Sequence, residues 1–128
     1  MAKVMVIDDD VPIIELLQLM LSLQGYDAVT VSDSSQALEK VRQECPDLIL
    51  LDLMMPEVDG WQVLAALRTD KDLQDIPVVV LTARADVSEV VIDPARYGLA
   101  GFVVKPFDYD ALSDAVRCGL SRLVERVG

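Results

Sequence analysis

The chain contains no histidine, and this absence excludes several kinds of site at once. Without an imidazole there is no histidine-based triad, no histidine metal ligand and no phosphohistidine formed on this chain. Cysteine is nearly as scarce, with Cys45 and Cys118 far apart in sequence. Two cysteines in 128 residues do not indicate a disulfide framework. We predict that both are buried, reduced thiols.

Positive charge and long apolar runs are also scarce. Lysine and arginine number 11 against 22 aspartates and glutamates, which gives a net charge of -11. Because nucleic acids and anionic membranes attract basic surfaces, this balance argues against direct binding to either. No apolar run has the length of a membrane span, and the run near the N-terminus reaches acids too early for a signal peptide. We therefore expect a cytoplasmic protein.

The chain does contain short apolar runs that alternate with longer amphipathic stretches. Runs rich in Val, Ile and Leu are typical of strands that are buried on both faces of a parallel sheet. The predicted strands are Lys3–Ile7, Ala28–Val31, Leu48–Leu51, Val78–Leu81 and Phe102–Val104. The predicted helices are 13–21, Ser35–Glu44, Trp61–Asp70, Val87–Tyr97 and Tyr109–Arg126. The alternation predicts one α/β domain over residues 1–128, a doubly wound parallel sheet with helices on both faces.

Local signals support the helix bounds, with one exception. Asp10 is placed to cap the first helix and Asp108 the last, while Gly25 follows the first helix as a stop. Pro94 falls inside the fourth predicted helix, where it removes a hydrogen bond and clashes with the preceding turn. We therefore expect a kinked, shortened or displaced fourth helix.

Polar residues follow four of the predicted strands. Asp8, Asp9 and Asp10 follow the first, Asp52 the third, Thr82 the fourth and Lys105 the fifth. Ligands of doubly wound sheets bind at the carboxyl ends of the strands, so these side chains are expected at one rim. Each alone is more simply explained as a cap or a loop residue.

Together, these residues suit phosphoryl transfer to a carboxylate. Carboxylate oxygens are suitable ligands for Mg²⁺, which commonly bridges to phosphate oxygens. An aspartate can act as the nucleophile in aspartyl-phosphate chemistry. Lys105 can neutralise one phosphoryl oxygen, and Thr82 can donate a hydrogen bond to another.

Four segments resemble the receiver domain of bacterial two-component response regulators. They are Val6–Asp10, Leu50–Gly60, Val80–Ala83 and Gly101–Phe107. The resemblance covers essentially the whole chain, and the combined set in this order is highly specific. It implies a flavodoxin-like fold with strand order 2-1-3-4-5, and a regulatory module of a two-component or phosphorelay system rather than an enzyme.

The resemblance also implies roles for individual residues. Asp52 would be the phosphoacceptor, and Lys105 would pair with the phosphoryl group or with unmodified Asp52. Asp8, Asp9, Asp52 and the backbone carbonyl of Met54 would hold Mg²⁺. Thr82 and Phe102 would form the switch that follows phosphorylation, although Phe102 is also simply explained as a strand aromatic. Lys105-Pro106 would be a cis peptide.

The implied partners are a sensor histidine kinase or a histidine phosphotransfer protein, and a downstream effector protein or domain. In the family, the fourth helix, fifth strand and fifth helix form the usual output and dimerisation face, so a homodimer is possible but is made less secure by Pro94. The main alternative is a pseudo-receiver, a protein-binding module that is not phosphorylated. A flavin-binding protein or a phosphatase is a third class, disfavoured because three acids follow the first strand and Met54 lies two residues after Asp52.

Overall fold

Five parallel strands form one sheet. The computed structural model describes residues 1–53, 60–83, 99–105 and 107–127, without the side chains of residues 82, 83 and 122–127. The strands are β1 (Lys3–Ile7), β2 (Asp27–Val31), β3 (Leu48–Asp52), β4 (Val78–Ala83) and β5 (Gly101–Lys105). Every hydrogen-bonded pair is parallel, and the order is β2-β1-β3-β4-β5. This order confirms the predicted doubly wound fold.

The central strands are apolar throughout because both of their faces are covered. Successive side chains of a strand point to opposite faces, so each central strand contributes to two apolar clusters. One cluster includes Met5, Ile7, Ile49 and Leu51. The other includes Val4, Val6, Leu48 and Leu50. The near-continuous apolar runs of the sequence therefore correspond to strands between two layers of helices.

Four α-helices lie within the described residues: α1 (Val11–Leu23), α2 (Ala37–Glu44), α3 (Gly60–Thr69) and α4 (Tyr109–Val127). The side chain of Asp10 accepts a hydrogen bond from the backbone N–H of Ile13 at 3.4 Å, and that of Asp108 accepts one from Ala111 at 2.7 Å. Gly25 adopts a positive φ of 87° just after α1. The predicted caps and stop are confirmed.

The second predicted helix begins differently from the expectation. Residues Ser34–Gln36 form a tighter 3-10 turn, and the α-helix proper starts at Ala37. The side chain of Asp33 accepts hydrogen bonds from both the backbone and the hydroxyl of Ser35, which closes this short turn.

The prediction of two buried thiols is wrong, because both cysteines are exposed. Cys45 is the residue that terminates α2, with a left-handed φ of 47°. Cys118 lies on α4 two residues after the buried Val116, and residues two apart on a helix do not share a face.

The fourth predicted helix, with Pro94, falls in residues 84–98 and lies outside the described residues. The proposed cis peptide at Pro106 lies outside them as well. Among the helices that are described, none combines the length and apolar character needed to cross a membrane.

Candidate functional site

The carboxyl ends of β1, β3, β4 and β5 meet at one rim of the sheet. Asp8 directly follows β1, whereas Asp52 and Lys105 are the last residues of β3 and β5 and Thr82 is the penultimate residue of β4. The parallel register pairs Asp52 with Leu81 and Thr82 with Val104. Three of the predicted site residues therefore belong to the strand ends rather than to the loops behind them, which fixes their backbone by sheet hydrogen bonds.

Asp8, Asp9 and Asp52 form a carboxylate cluster in which one oxygen from each residue lies within 4.8 Å of the others. Asp8 is fully buried and Asp52 is only 4% exposed, while Asp9 is exposed. At an effective dielectric constant of about 20, two such charges at this separation repel by about 3 kcal/mol. A cluster of this kind is stabilised by positive charge placed nearby.

Lys105 supplies part of that positive charge from the end of β5, across β4 from Asp52. Its Nζ donates a hydrogen bond to Oδ2 of Asp8 at 3.0 Å and lies 3.6 Å from Oδ2 of Asp52. The other oxygen of Asp8, Oδ1, accepts a hydrogen bond from the backbone N–H of Asp10 at 3.0 Å. One ammonium against three carboxylates leaves the cluster with a formal charge of -2.

The two carboxylates control the protonation of the lysine. Desolvation by partial burial is the largest single influence and by itself would lower the pKa of Lys105. The hydrogen bond with Asp8, and the negative charges of Asp8 and Asp52, together outweigh desolvation and raise this pKa above its ordinary value. Lys105 is therefore a permanently charged ammonium at neutral pH.

Backbone hydrogen bonds position the acids. The N–H of Asp8 donates to the carbonyl of Val31 at 3.1 Å, and the N–H of Leu53 donates to that of Leu81 at 3.2 Å. The N–H of Gly60 in turn donates to the carbonyl of Leu53 at 3.0 Å. The sequence analysis placed Gly60 only at the end of the segment Leu50–Gly60, and its contact with the end of β3 was missed.

The predicted switch and metal residues are only partly described. Phe102 is half-buried on β5 against the apolar cluster beneath α2 and α3. It also lines a cavity of about 380 Å³ beside α4, together with Cys118. The backbone of Thr82 lies at the rim, but its side chain and all of Met54 are outside the described residues.

The cluster fits a hard divalent cation by its donor chemistry. All three side chains offer carboxylate oxygens, and two of them are buried beside one another. Oxygen donors of this kind suit Mg²⁺, which usually takes one or two carboxylates and keeps several waters. The formal negative charge that Lys105 leaves uncompensated would be offset by such an ion.

Comparison with known proteins decides the family. The family model described as the response regulator receiver domain matches residues 4–117. This chain is a receiver domain of the response regulator family. Its strand order and its rim of acids with one lysine are the features that the sequence motifs predicted for such a receiver.

Two curated relatives illustrate the sequence similarity. The DNA-binding response regulator MtrA of Mycolicibacterium smegmatis is 40% identical over 120 residues, which cover 94% of this chain and 51% of the relative. The probable transcriptional regulator ycf27 of Guillardia theta is 39% identical over 120 residues, covering 94% and 46% respectively. This receiver chain thus spans about half the length of the curated relatives that it matches.

Solved structures show the same fold over nearly the whole of this chain. The chemotaxis protein CheY4 of Vibrio cholerae gives a TM-score of 0.83 at 28% identity, covering 93% of this chain and 98% of that one. A response regulator receiver domain protein from Clostridium thermocellum gives 0.85 at 26% identity, covering 95% and 96%. The receiver is accordingly a regulatory module of two-component signalling.

Proposed function

We propose that Asp52 is the residue of this receiver that accepts the phosphoryl group. The observation that carries the proposal is the buried position of Asp52 within reach of Lys105 and of two further carboxylates. A carboxylate that is nearly excluded from solvent at a sheet rim, beside an ammonium, is suited to attack the phosphorus of a phosphoryl group whose oxygen charges are neutralised.

The transfer takes place by in-line displacement. One carboxylate oxygen of Asp52 forms a bond to phosphorus as the bond from phosphorus to a nitrogen of the donor phosphohistidine breaks, and the departing imidazole keeps the electron pair. Lys105 stabilises the charge on a phosphoryl oxygen, having exchanged its contact with Asp52 for one with the phosphoryl group. Asp8 keeps Lys105 at the site through their 3.0 Å hydrogen bond.

Mg²⁺ is the cofactor that we propose for this site. Asp8, Asp9 and Asp52 would hold it, with the backbone carbonyl of Met54 as a further ligand. When bound, the ion supplies the positive charge that lets an anionic phosphoryl group approach the acidic rim.

The readout is proposed to pass through Thr82 and Phe102. Thr82 would donate its hydroxyl hydrogen bond to the phosphoryl group, and Phe102 would change rotamer as Thr82 moves. Phe102 is half-buried against the apolar cluster beneath α2 and α3, so a change of its rotamer would alter that packing.

The remaining roles are proposals about the protein as a whole. We infer a single receiver domain in this chain, working in the cytoplasm with a sensor histidine kinase or a histidine phosphotransfer protein and with a downstream effector. It would assist its own phosphorylation and dephosphorylation rather than turn over a substrate. The net charge of -11 is the reason to expect no direct nucleic-acid contact from this domain. We infer that a homodimer would use the family's usual face, formed by the fourth predicted helix, β5 and α4.

The test is phosphorylation by a small donor. Incubation with Mg²⁺ and acetyl phosphate is expected to add one phosphoryl group, seen as a single mass shift. Asp52→Asn should abolish that shift, whereas Asp110→Asn, at an exposed carboxylate in the first turn of α4, should retain it. Omission of Mg²⁺ should remove the shift in both the wild type and the control.

Each other outcome has a defined meaning. A mass shift that persists in Asp52→Asn would show that another residue accepts the phosphoryl group. No shift in the wild type, with either acetyl phosphate or a phosphorylated histidine phosphotransfer protein, would favour a phosphorylation-independent binding module.

A further inference from the structure

Gly60, the first residue of α3, packs directly on the backbone that carries Asp52. It is buried, and a Cβ built on it would lie 2.5 Å from the Cα of Leu53 and 2.9 Å from the carbonyl carbon of Asp52. Its closest neighbour would be the carbonyl oxygen of Asp52. Because all three atoms belong to the backbone, no rotamer change can relieve the overlap.

The other described glycines show that this contact is particular to Gly60. At Gly25 and Gly101 a Cβ would have no neighbour within 4 Å. At Gly119 the nearest atom would be the end of the flexible Leu48 side chain. Among the glycines that the structure describes, Gly60 is the one that abuts the backbone of the carboxylate cluster.

Hydrogen bonds hold the same junction from both sides. The N–H of Gly60 donates to the carbonyl of Leu53 at 3.0 Å, and the N–H of Leu53 donates to the carbonyl of Leu81 on β4 at 3.2 Å. The end of β3 is therefore held between β4 and the start of α3. A displacement of α3 toward the solvent would stretch the first of these bonds, and a displacement of β3 would move Asp52.

We propose that Gly60 is a positioning residue for phosphoryl transfer, which lets α3 approach closely enough to fix the Asp52 carboxylate against Lys105 and the metal-binding acids. The inference rests on the proposed function of Asp52 and extends it to a residue that touches neither metal nor phosphoryl group. The Asp52 carboxylate lies 3.6 Å from Lys105 Nζ. Misplacement of a reacting group by about 1 Å can cost about 100-fold in rate.

The experiment compares Gly60→Ala with Val63→Ala. Val63 is buried one turn further along α3 and contributes to the core rather than to the rim, so its truncation controls for a general loss of helix packing. Both variants are examined well below their unfolding temperatures. The readouts are the Mg²⁺ dissociation constant from backbone amide shifts, and the acetyl phosphate dependence of the phosphorylation rate.

The expected result is a split between the two variants. Gly60→Ala should lower the maximal phosphorylation rate by about tenfold or more, and should weaken Mg²⁺ binding, while the amide shifts of Asp52, Leu53 and Lys105 change. Val63→Ala should stay within about twofold of the wild type in both constants. Equal behaviour of the two variants, in rate and in Mg²⁺ affinity, would overturn the inference.

A second measurement covers the case in which Gly60→Ala does not fold. In the wild type, the amide of Gly60 should shift during a titration with Mg²⁺ alone, with the same dissociation constant as the amides of Asp52 and Leu53. A Gly60 amide that stays constant while that of Asp52 shifts would contradict the proposed coupling. This titration does not need phosphorylation, so the inference about Gly60 and the function of Asp52 can fail separately.

Discussion

At the scale of single residues, Lys105 connects two acids that would otherwise repel each other. Its ammonium contacts Asp8, which is fully buried, and lies near Asp52, while 23% of its own side chain remains exposed. Removal of this charge would take away the cation that the buried carboxylates of Asp8 and Asp52 share. The residue therefore affects the stability of the metal-free protein as well as the proposed chemistry.

Lys105→Met is expected to lower the free energy of unfolding of the metal-free protein by about 2 kcal/mol at pH 8. This loss is smaller than the loss on breaking a fully buried ion pair, because Lys105 keeps partial exposure. The folded-state pKa is raised above the unfolded value of about 10.4. The contribution is therefore complete below that pH and is lost as the pH rises through the raised pKa. Urea unfolding from pH 8 to 11 measures the difference between wild type and variant.

The control for this prediction is Lys71→Met, which removes one positive charge at an exposed position. Its difference from the wild type should be small at every pH. A Lys105→Met difference that is as large at pH 11 as at pH 8 would contradict the assigned ion pair.

Replacement of Asp9 is expected to raise the stability of the metal-free protein and to weaken Mg²⁺ binding, whereas replacement of Lys105 lowers the stability. It is the exposed member of the carboxylate cluster, so neutralising it relieves repulsion without leaving a buried group unpaired. Asp9→Asn should raise the stability of the metal-free protein by about 0.5–1 kcal/mol. It should also reduce the extra stability that Mg²⁺ confers, which depends on the ratio of ion concentration to dissociation constant.

Urea unfolding with and without Mg²⁺ measures both effects of Asp9→Asn, and Asp110→Asn serves as the matched exposed control. A variant that is less stable without the ion would contradict the repulsion assigned to Asp9. A variant that gains as much stability from Mg²⁺ as the wild type does would exclude Asp9 from the proposed metal site.

At the scale of elements, α1 has an unusual distribution of apolar side chains. Its inner face buries Ile14, Leu17 and Leu21 against the sheet, but Leu19 is 58% exposed and Leu23 is 69% exposed. The helix therefore carries more apolar residues than its packing uses. Its sequence predicted a helix over residues 13–21, and the structure extends that helix to Val11–Leu23.

Leu17→Ala and Leu19→Ala form a matched pair on α1, because the same atoms are removed two residues apart. Leu17 is completely buried, so its truncation should cost about 2–5 kcal/mol of unfolding free energy. Leu19 is mostly exposed, and its truncation should change stability by about 0.5 kcal/mol or less. Chemical denaturation checks both values, and similar losses at the two positions would show that Leu19 is covered in solution.

At the scale of the whole molecule, the excess of acids sets the response to salt. With a net charge of -11, the folded domain carries self-repulsion that the expanded unfolded chain reduces. Raising the ionic strength from about 0.01 to 0.15 M shortens the screening length from about 30 to 8 Å. The midpoint of thermal unfolding should rise with NaCl over this range, and a constant or falling midpoint would show that long-range repulsion is unimportant.

The length of the curated relatives matters at this same scale. The chain covers 46% of one relative and 51% of another. The output of the protein as a whole is therefore a proposal and does not follow from the receiver domain alone. Within the proposed function, the receiver would contribute a charge change at its rim and a surface that responds to it.

Most of the fold followed from local pattern. Apolar runs of Val, Ile and Leu predicted the observed bounds of β1, and they predicted the ends of the other strands to within two residues. The reason is that a strand buried on both faces leaves little room for polar residues. Asp10, Gly25 and Asp108 marked helix ends, since capping depends on chemistry within a few residues. The two cysteines were misjudged because exposure depends on which side of an element meets the core.

The sequence by itself determined that this chain would form a parallel α/β receiver with acids, a threonine and a lysine at one sheet edge, because strand periodicity and motif order are local properties. Only the tertiary structure decided that Asp8 would be buried against Lys105 at 3.0 Å while Asp9 stays exposed. It also decided that Gly60 would lie on the backbone of Asp52. These contacts join residues from different strands and helices, and their distances are set by how those elements pack.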